Sequence, residues 1–132
     1  MRITPDNITE LKANEIFVFG SNLRGRHGKG AAKQALTWGA KWGQASGLQG
    51  KTYGIPTKNA SITRTLTVDE IRPYVEEFIN FAQSNSNLIF LVTEIGCGLA
   101  GYKPKDIAPL FERAVGLPNV YLPTRFLRKI LM

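Results

Sequence analysis

A chain of 132 residues, 43% apolar and 20% charged, predicts one globular domain over residues 1–132 that can bury a core without disulfide staples. Its single cysteine, Cys97, excludes an internal disulfide and fits a reducing cytoplasm, no apolar run approaches the ~18 residues of a membrane span, and the N-terminus lacks the apolar core of a signal peptide. The whole net charge of +7 lies in residues 1–66, which favours a partner carrying phosphate or other anions and keeps a basic nucleic-acid-binding protein as an alternative reading.

Met1–Asn14 reads as a lead-in, with a turn composition at Thr4-Pro5-Asp6-Asn7. The apolar run Ile16–Phe19 predicts a first strand. A loop with Gly20, Gly25, Gly28 and Gly30 follows, and then a helix over Ala31–Trp42. Its contact positions are Ala31, Ala35, Leu36, Trp38 and Trp42, and Gly39, Gly43 and Gly47 erode its far end. Gly43–Gly50 reads as a loop. Lys51–Ile55 is a second strand, stopped by Pro56.

Thr57–Leu66 is polar and Thr-rich, a loop or a short extra hairpin. Thr67-Val68-Asp69-Glu70 is a capping box that opens a helix to about Gln83, with Ile71, Val75, Phe78, Ile79 and Ala82 on one stripe. Pro73 predicts either a separate first turn or a bend. Leu88–Val92 is apolar throughout and reads as a central strand covered on both faces. The loop Gly96–Gly101 comes next, directly before a helix that starts near Pro104. Asn119–Leu122 is a last strand, and Thr124–Met132 closes the chain as a short helix or strand. This alternation predicts a three-layer α/β/α sandwich with a mixed, mostly parallel sheet.

Ligands of such sheets bind beyond the carboxyl ends of the strands. The residues expected on that rim are Asn22, Thr57, Lys58, Glu94, Arg125 and Phe126, with both glycine loops. Glycines let backbone N–H groups approach an anion, and a following helix adds the positive end of its dipole. Arg24, Arg26, Lys29 and Lys33 add positive charge around the first loop. That loop matches neither GxGxxG nor GxxxxGK[ST], which argues against a dehydrogenase or a P-loop enzyme. Two such loops on one edge suit the two phosphates of a pyrophosphate.

Several side chains keep more than one reading. His27, the only histidine, is expected to be exposed in its glycine loop, as an acid–base group, a phosphate contact or a bystander. Cys97 is either a thiol nucleophile, paired with His27 across the loops, or a small packing residue. Glu94 is a general base or an ion-pair residue on the rim. Tyr102 and Phe126 either stack on a ligand ring or belong to the core. No spacing suits a metal, and no cofactor is expected.

These motifs resemble the macro domain family of ADP-ribose binders and hydrolases. Phe19-Gly20-Ser21-Asn22 is similar to the end of its first motif, Gly28–Ala32 to its glycine-rich catalytic loop, and Gly96–Tyr102 to its phosphate-binding loop. The form Gly-Cys-Gly-Leu-Ala-Gly is closest to the branch with terminal ADP-ribose glycohydrolases and DNA ADP-ribosyl glycohydrolase antitoxins. Thr57-Lys58 is similar in type and position to that branch's Thr-Lys. Asn7-Ile8-Thr9-Glu10-Leu11 echoes a family motif whose Asp contacts adenine, with Asn7 in its place. Ala100 stands where some hydrolases of the branch carry an acid.

The resemblance spans roughly Asn7–Phe126 and implies a macro-like domain that takes ADP-ribose or a related nucleotide. It implies hydrolysis of ADP-ribose from modified DNA or protein, or binding alone. Asn22 would orient the distal ribose. Lys58 would attack the anomeric carbon as a desolvated amine, forming a Schiff base. Asn7, Gly20, Ser21, Gly28, Gly30, Ala31, Gly96, Cys97, Gly98, Leu99, Ala100, Gly101, Tyr102 and Phe126 would hold the ligand. The single-domain length points to a monomer.

Overall fold

The apolar run Ile16–Phe19 becomes the middle of β1 (Glu15–Asn22), the central strand of the sheet. A computed structural model describes residues 2–132; Met1, the first residue of the expected lead-in, lies outside them. The elements that follow are α1 (Gly30–Leu36), β2 (Gly47–Gln49), β3 (Thr52–Lys58), α2 (Val68–Ser84), β4 (Ile89–Val92) and α3 (Pro104–Ile107). A 3-10 helix continues α3 over Ala108–Gly116, and β5 (Val120–Tyr121) and α4 (Thr124–Leu131) end the chain.

The sheet order is β2-β3-β1-β4-β5. β1 runs parallel to β3 and β4, and β5 runs parallel to β4; only β2 is antiparallel, against β3. Side chains of β1 alternate between faces. Ile16 and Val18 meet α2, the 3-10 helix and α4 in the larger core. Phe17 and Phe19 meet Ala32 and Ala35 of α1 in the smaller one. Helices on both faces of a mostly parallel sheet make the three-layer α/β/α sandwich, and they explain why β1 is apolar at successive positions. No helix among the described residues is long and apolar enough to cross a membrane.

Four elements depart from the sequence reading. α1 stops at Leu36, well short of Trp42. Beyond it Gly39 takes φ +103, and its backbone packs so closely on Gly50 that a Cβ would come within 3.0 Å of the Gly50 Cα. The Trp38 carbonyl there accepts the Lys51 N–H at 2.8 Å instead of continuing a helix. The expected loop at 43–50 contains β2. β3 passes through Pro56 to Lys58, because β2 pairs with it only as far as Gly54 and nothing beyond needs the missing N–H on that side. α2 runs through Pro73 as one helix, so no separate first turn forms; the proline lies on its exposed face, where water can serve the carbonyl it leaves without a donor.

The β1–β3 ladder slips by one residue at its carboxyl end. Ser21 stands opposite Pro56, but Asn22 stands opposite Lys58. Thr57 is the extra residue, and its hydroxyl donates to the Ser21 carbonyl at 3.2 Å. The chain then turns back: Lys58 bridges to Thr65, and Leu66 N–H donates to the Thr57 carbonyl at 2.8 Å. Residues 59–66 therefore form a strap beside the strand ends, the short hairpin that was one of the two expectations for this segment.

Candidate functional site

Beyond the carboxyl ends of β1, β3 and β4 lies an open cleft of about 990 Å³. The first glycine loop forms one wall and Gly96–Ala100 the other; Lys58 lies at the end of β3, and Ile62 of the strap completes the lining. Thus the structure brings together Gly20, Ser21, Asn22, Gly28, Gly30, Ala31, Lys58, Gly96, Cys97, Gly98, Leu99 and Ala100. Arg26 and Lys29 join Lys58 as its cations.

A second hollow of about 290 Å³ continues the cleft past Ala31, Thr93 and Glu94, which line both. Asn7 lies in this annex with Thr4, Asp6 and Gln34, not in the main cleft. Thr4 is buried there, and its hydroxyl has no protein partner.

The first loop is shaped by its own backbone. The Asn22 amide grips Arg26 twice: Nδ2 donates to the Arg26 carbonyl at 2.8 Å, and Oδ1 accepts the Arg26 N–H at 2.9 Å. Gly25, at φ +70, packs on residues 43–44, and a Cβ would fall 2.4 Å from the Gly43 carbonyl carbon. No side chain fits there. The Ser21 hydroxyl donates to the Ala45 carbonyl, which leaves it only as an acceptor towards a ligand. α1 has only seven residues, which weakens the expected dipole contribution; backbone N–H groups and basic side chains carry the attraction for an anion.

His27 departs from the expectation. It is fully buried, with its ring 5.2 Å edge-on from Phe19 and 6.3 Å from Trp42. Its Nε2 faces two acceptors, the Lys41 carbonyl at 2.8 Å and Gln49 Oε1 at 3.2 Å. Nε2 therefore carries a proton, and Nδ1 has no partner. His27 is a structural strut beneath the loop, and it does not line the cleft beside Cys97.

The second loop is tied to the strap. Thr65 Oγ1 donates to the Ala100 carbonyl at 2.8 Å, and Tyr102 OH donates to the Leu66 carbonyl at 2.7 Å. Tyr102 packs against the larger core and lies outside the cleft lining; Gly101, exposed and turning the chain at φ +89, also lies outside it. α3 begins at Pro104, where the sequence places the helix start, with only Tyr102 and Lys103 between it and the loop. Leu99 is the loop's exposed tip and approaches Gly30 across the cleft. Phe126, expected to meet a ligand, is fully buried and 5.6 Å from the Phe111 ring. α4 is amphipathic and turns that face into the core.

Comparison with known protein families, curated proteins and solved structures finds no match. The chemistry is therefore read from the side chains. Burial, reinforced by the Glu94 charge, pushes the Cys97 thiol up to about 11. A thiol that stays protonated at neutral pH is a poor nucleophile, so Cys97 serves the loop by packing. Glu94 is engaged by Arg125, whose Nε donates to Oε2 at 2.7 Å and whose Nη2 donates to Oε1. That hydrogen-bonded guanidinium holds the Glu94 carboxyl below its ordinary range. Glu94 is thus an ionised wall residue rather than a group poised to exchange a proton near neutrality.

Sequence reasoning missed Ile62, Thr93 and Gln34 as lining residues. Ile62 takes φ +59, rare for a β-branched residue, because Asn59 gathers the strap around its Oδ1, which accepts the Thr63 and Arg64 N–H groups. The Asn-Ala-Ser turn composition was the available signal for that shape.

Proposed function

We propose that this is a macro-like ADP-ribose-binding domain that removes ADP-ribose from a modified macromolecule, protein or nucleic acid. The observation that carries this reading is the meeting of two glycine loops, Asn22 and Lys58 around one cleft at the strand ends. In this reading the backbones of Gly28–Ala31 and Gly96–Ala100 hold the pyrophosphate, with Arg26 and Lys29 adding charge. The annex takes the adenine, with Asn7 at its edge. Lys58, level with Asn22 across the sheet, faces the distal ribose and acts as nucleophile or as electrostatic catalyst. Asn22 orients that ribose through lone pairs and a second N–H left over from its grip on Arg26. The single cysteine fits action in the cytoplasm.

A second reading, binding without turnover, is favoured by two observations. The Asn22 amide is already engaged by the loop backbone, and Ala100 supplies no acid in the second loop. Calorimetric titration with ADP-ribose, with AMP and NAD as comparators, tests the pocket; micromolar binding selective for ADP-ribose is expected. Hydrolysis of ADP-ribosylated DNA and protein by wild type and Lys58→Ala then separates the two readings. Turnover lost in the variant supports catalysis, and tight binding without turnover supports the binding module.

A further inference from the structure

Glu94 occupies an unusual place. Among the described residues it is the only side-chain carboxylate lining the main cleft, whose cations Arg26, Lys29 and Lys58 lie on the first loop and at the end of β3. It also lines the annex, so it stands at the passage between the two hollows. Arg125 holds both carboxylate oxygens, and Arg125 is itself placed by α4, whose Phe126 and Leu127 are buried in the core. The carboxylate is therefore fixed in position, with its side chain still 32% exposed.

A carboxylate offers about four lone-pair positions, and a bidentate guanidinium uses two of them. The remaining two accept O–H or N–H donors. A vicinal diol presents two O–H groups on adjacent carbons, which matches that demand. A phosphate ester in the same place has no proton to give at neutral pH and sets an anion against an anion.

We propose that Glu94, positioned by Arg125, is a specificity-determining residue that selects a nucleotide with a free ribose diol at the passage over one phosphorylated there. This rests on the reading of the cleft as an ADP-ribose site. A ligand with its pyrophosphate among the cations and its base in the annex carries its adenosine ribose past Glu94. Exclusion by a fixed like charge is a common way to discriminate between ligands that otherwise bind alike.

The experiment is calorimetric titration of wild type, Glu94→Gln and Arg125→Ala with two probes, ADP-ribose and 2′-phospho-ADP-ribose. Wild type is expected to prefer ADP-ribose by at least about tenfold. Glu94→Gln is expected to bring the two affinities within about threefold, chiefly by tightening the phosphorylated probe. Arg125→Ala, which frees the carboxylate to move, is expected to fall between them. An unchanged preference in Glu94→Gln, with ADP-ribose still bound, overturns the inference and leaves the cleft reading standing. A wild type that prefers the phosphorylated probe also overturns it, since Arg125 would then be receiving the phosphate. Failure of wild type to bind either probe, with its melting transition intact, overturns the cleft reading and this inference with it.

Discussion

The two glycine loops face the same cleft, yet they are held in opposite ways. The first rests on a buried strut: His27 fills the space between Phe19 and Trp42, and Gln49 locks it from the side. Gln49 also accepts the Lys41 N–H at 2.7 Å, which joins the loop to the segment before β2. The second loop hangs from the strap through Thr65 and Tyr102, and its tip, Leu99, is 68% exposed. The first wall is thus an exposed rim anchored by one buried side chain, and the second rests on the larger core through Ile95, Cys97 and Tyr102 and is tied to the strap by two polar links.

Breaking the strut is expected to have the largest effect. His27→Ala leaves a cavity between two aromatic rings, strips the Lys41 carbonyl of its side-chain donor and leaves Gln49 Oε1 with the Lys41 N–H alone, so it should cost about 3 kcal/mol or more in urea unfolding. If it costs no more than a change at Tyr102, the contrast between the loops is wrong. Gly25→Ala forces a Cβ into the backbone of residues 43–44 and should cost about 1–3 kcal/mol by the same measurement.

Tyr102→Phe removes one hydrogen bond from the second loop and should cost about 1 kcal/mol. Its sharper signature is amide hydrogen exchange, faster at Cys97–Ala100 and unchanged at Gly25–Gly30. The smallest effect is expected from acid. Glu70 holds Arg64 of the strap at 2.8 Å, and its carboxyl is lowered from 4.5 to about 2, first by that side-chain bond and then by the Thr67 N–H. A lowered carboxyl stabilises the fold above its unfolded value, and the contribution fades as pH falls from about 4.5 towards about 2. Protection of amides in the strap and second loop, relative to their intrinsic exchange rates, should fall over that window in wild type and stay flatter in Glu70→Gln, which keeps the cap.

The core of the fold was legible because its signals are repeated. The apolar runs in β1 and β4, the stripe of α2 and its capping box each state the same thing several times. β2 was not legible, since Gly47-Leu48-Gln49 has no apolar run and is a strand only because β3 offers it an edge. The rim was legible as a set, because each strand end is followed by glycines or polar residues. Burial was where local reading failed. A lone histidine between glycines carries no sign that Gln49, far along the chain, will enclose it. Phe126 carries its sign in the pattern of α4, whose buried Phe126 and Leu127 alternate with exposed Arg125 and Arg128.

The slip at the end of the β1–β3 ladder sets a parity. Side chains of a strand alternate between faces, so one added or removed residue exchanges the inward set for the outward one. Thr57 is that added residue, and it is why Lys58, rather than a threonine, stands level with Asn22. The candidate reactive pair is therefore held by a count along one strand rather than by the loops around it. Loop lengths elsewhere can drift with the pair intact, whereas one further residue inserted between Thr57 and Lys58 would put another side chain level with Asn22 in a single step.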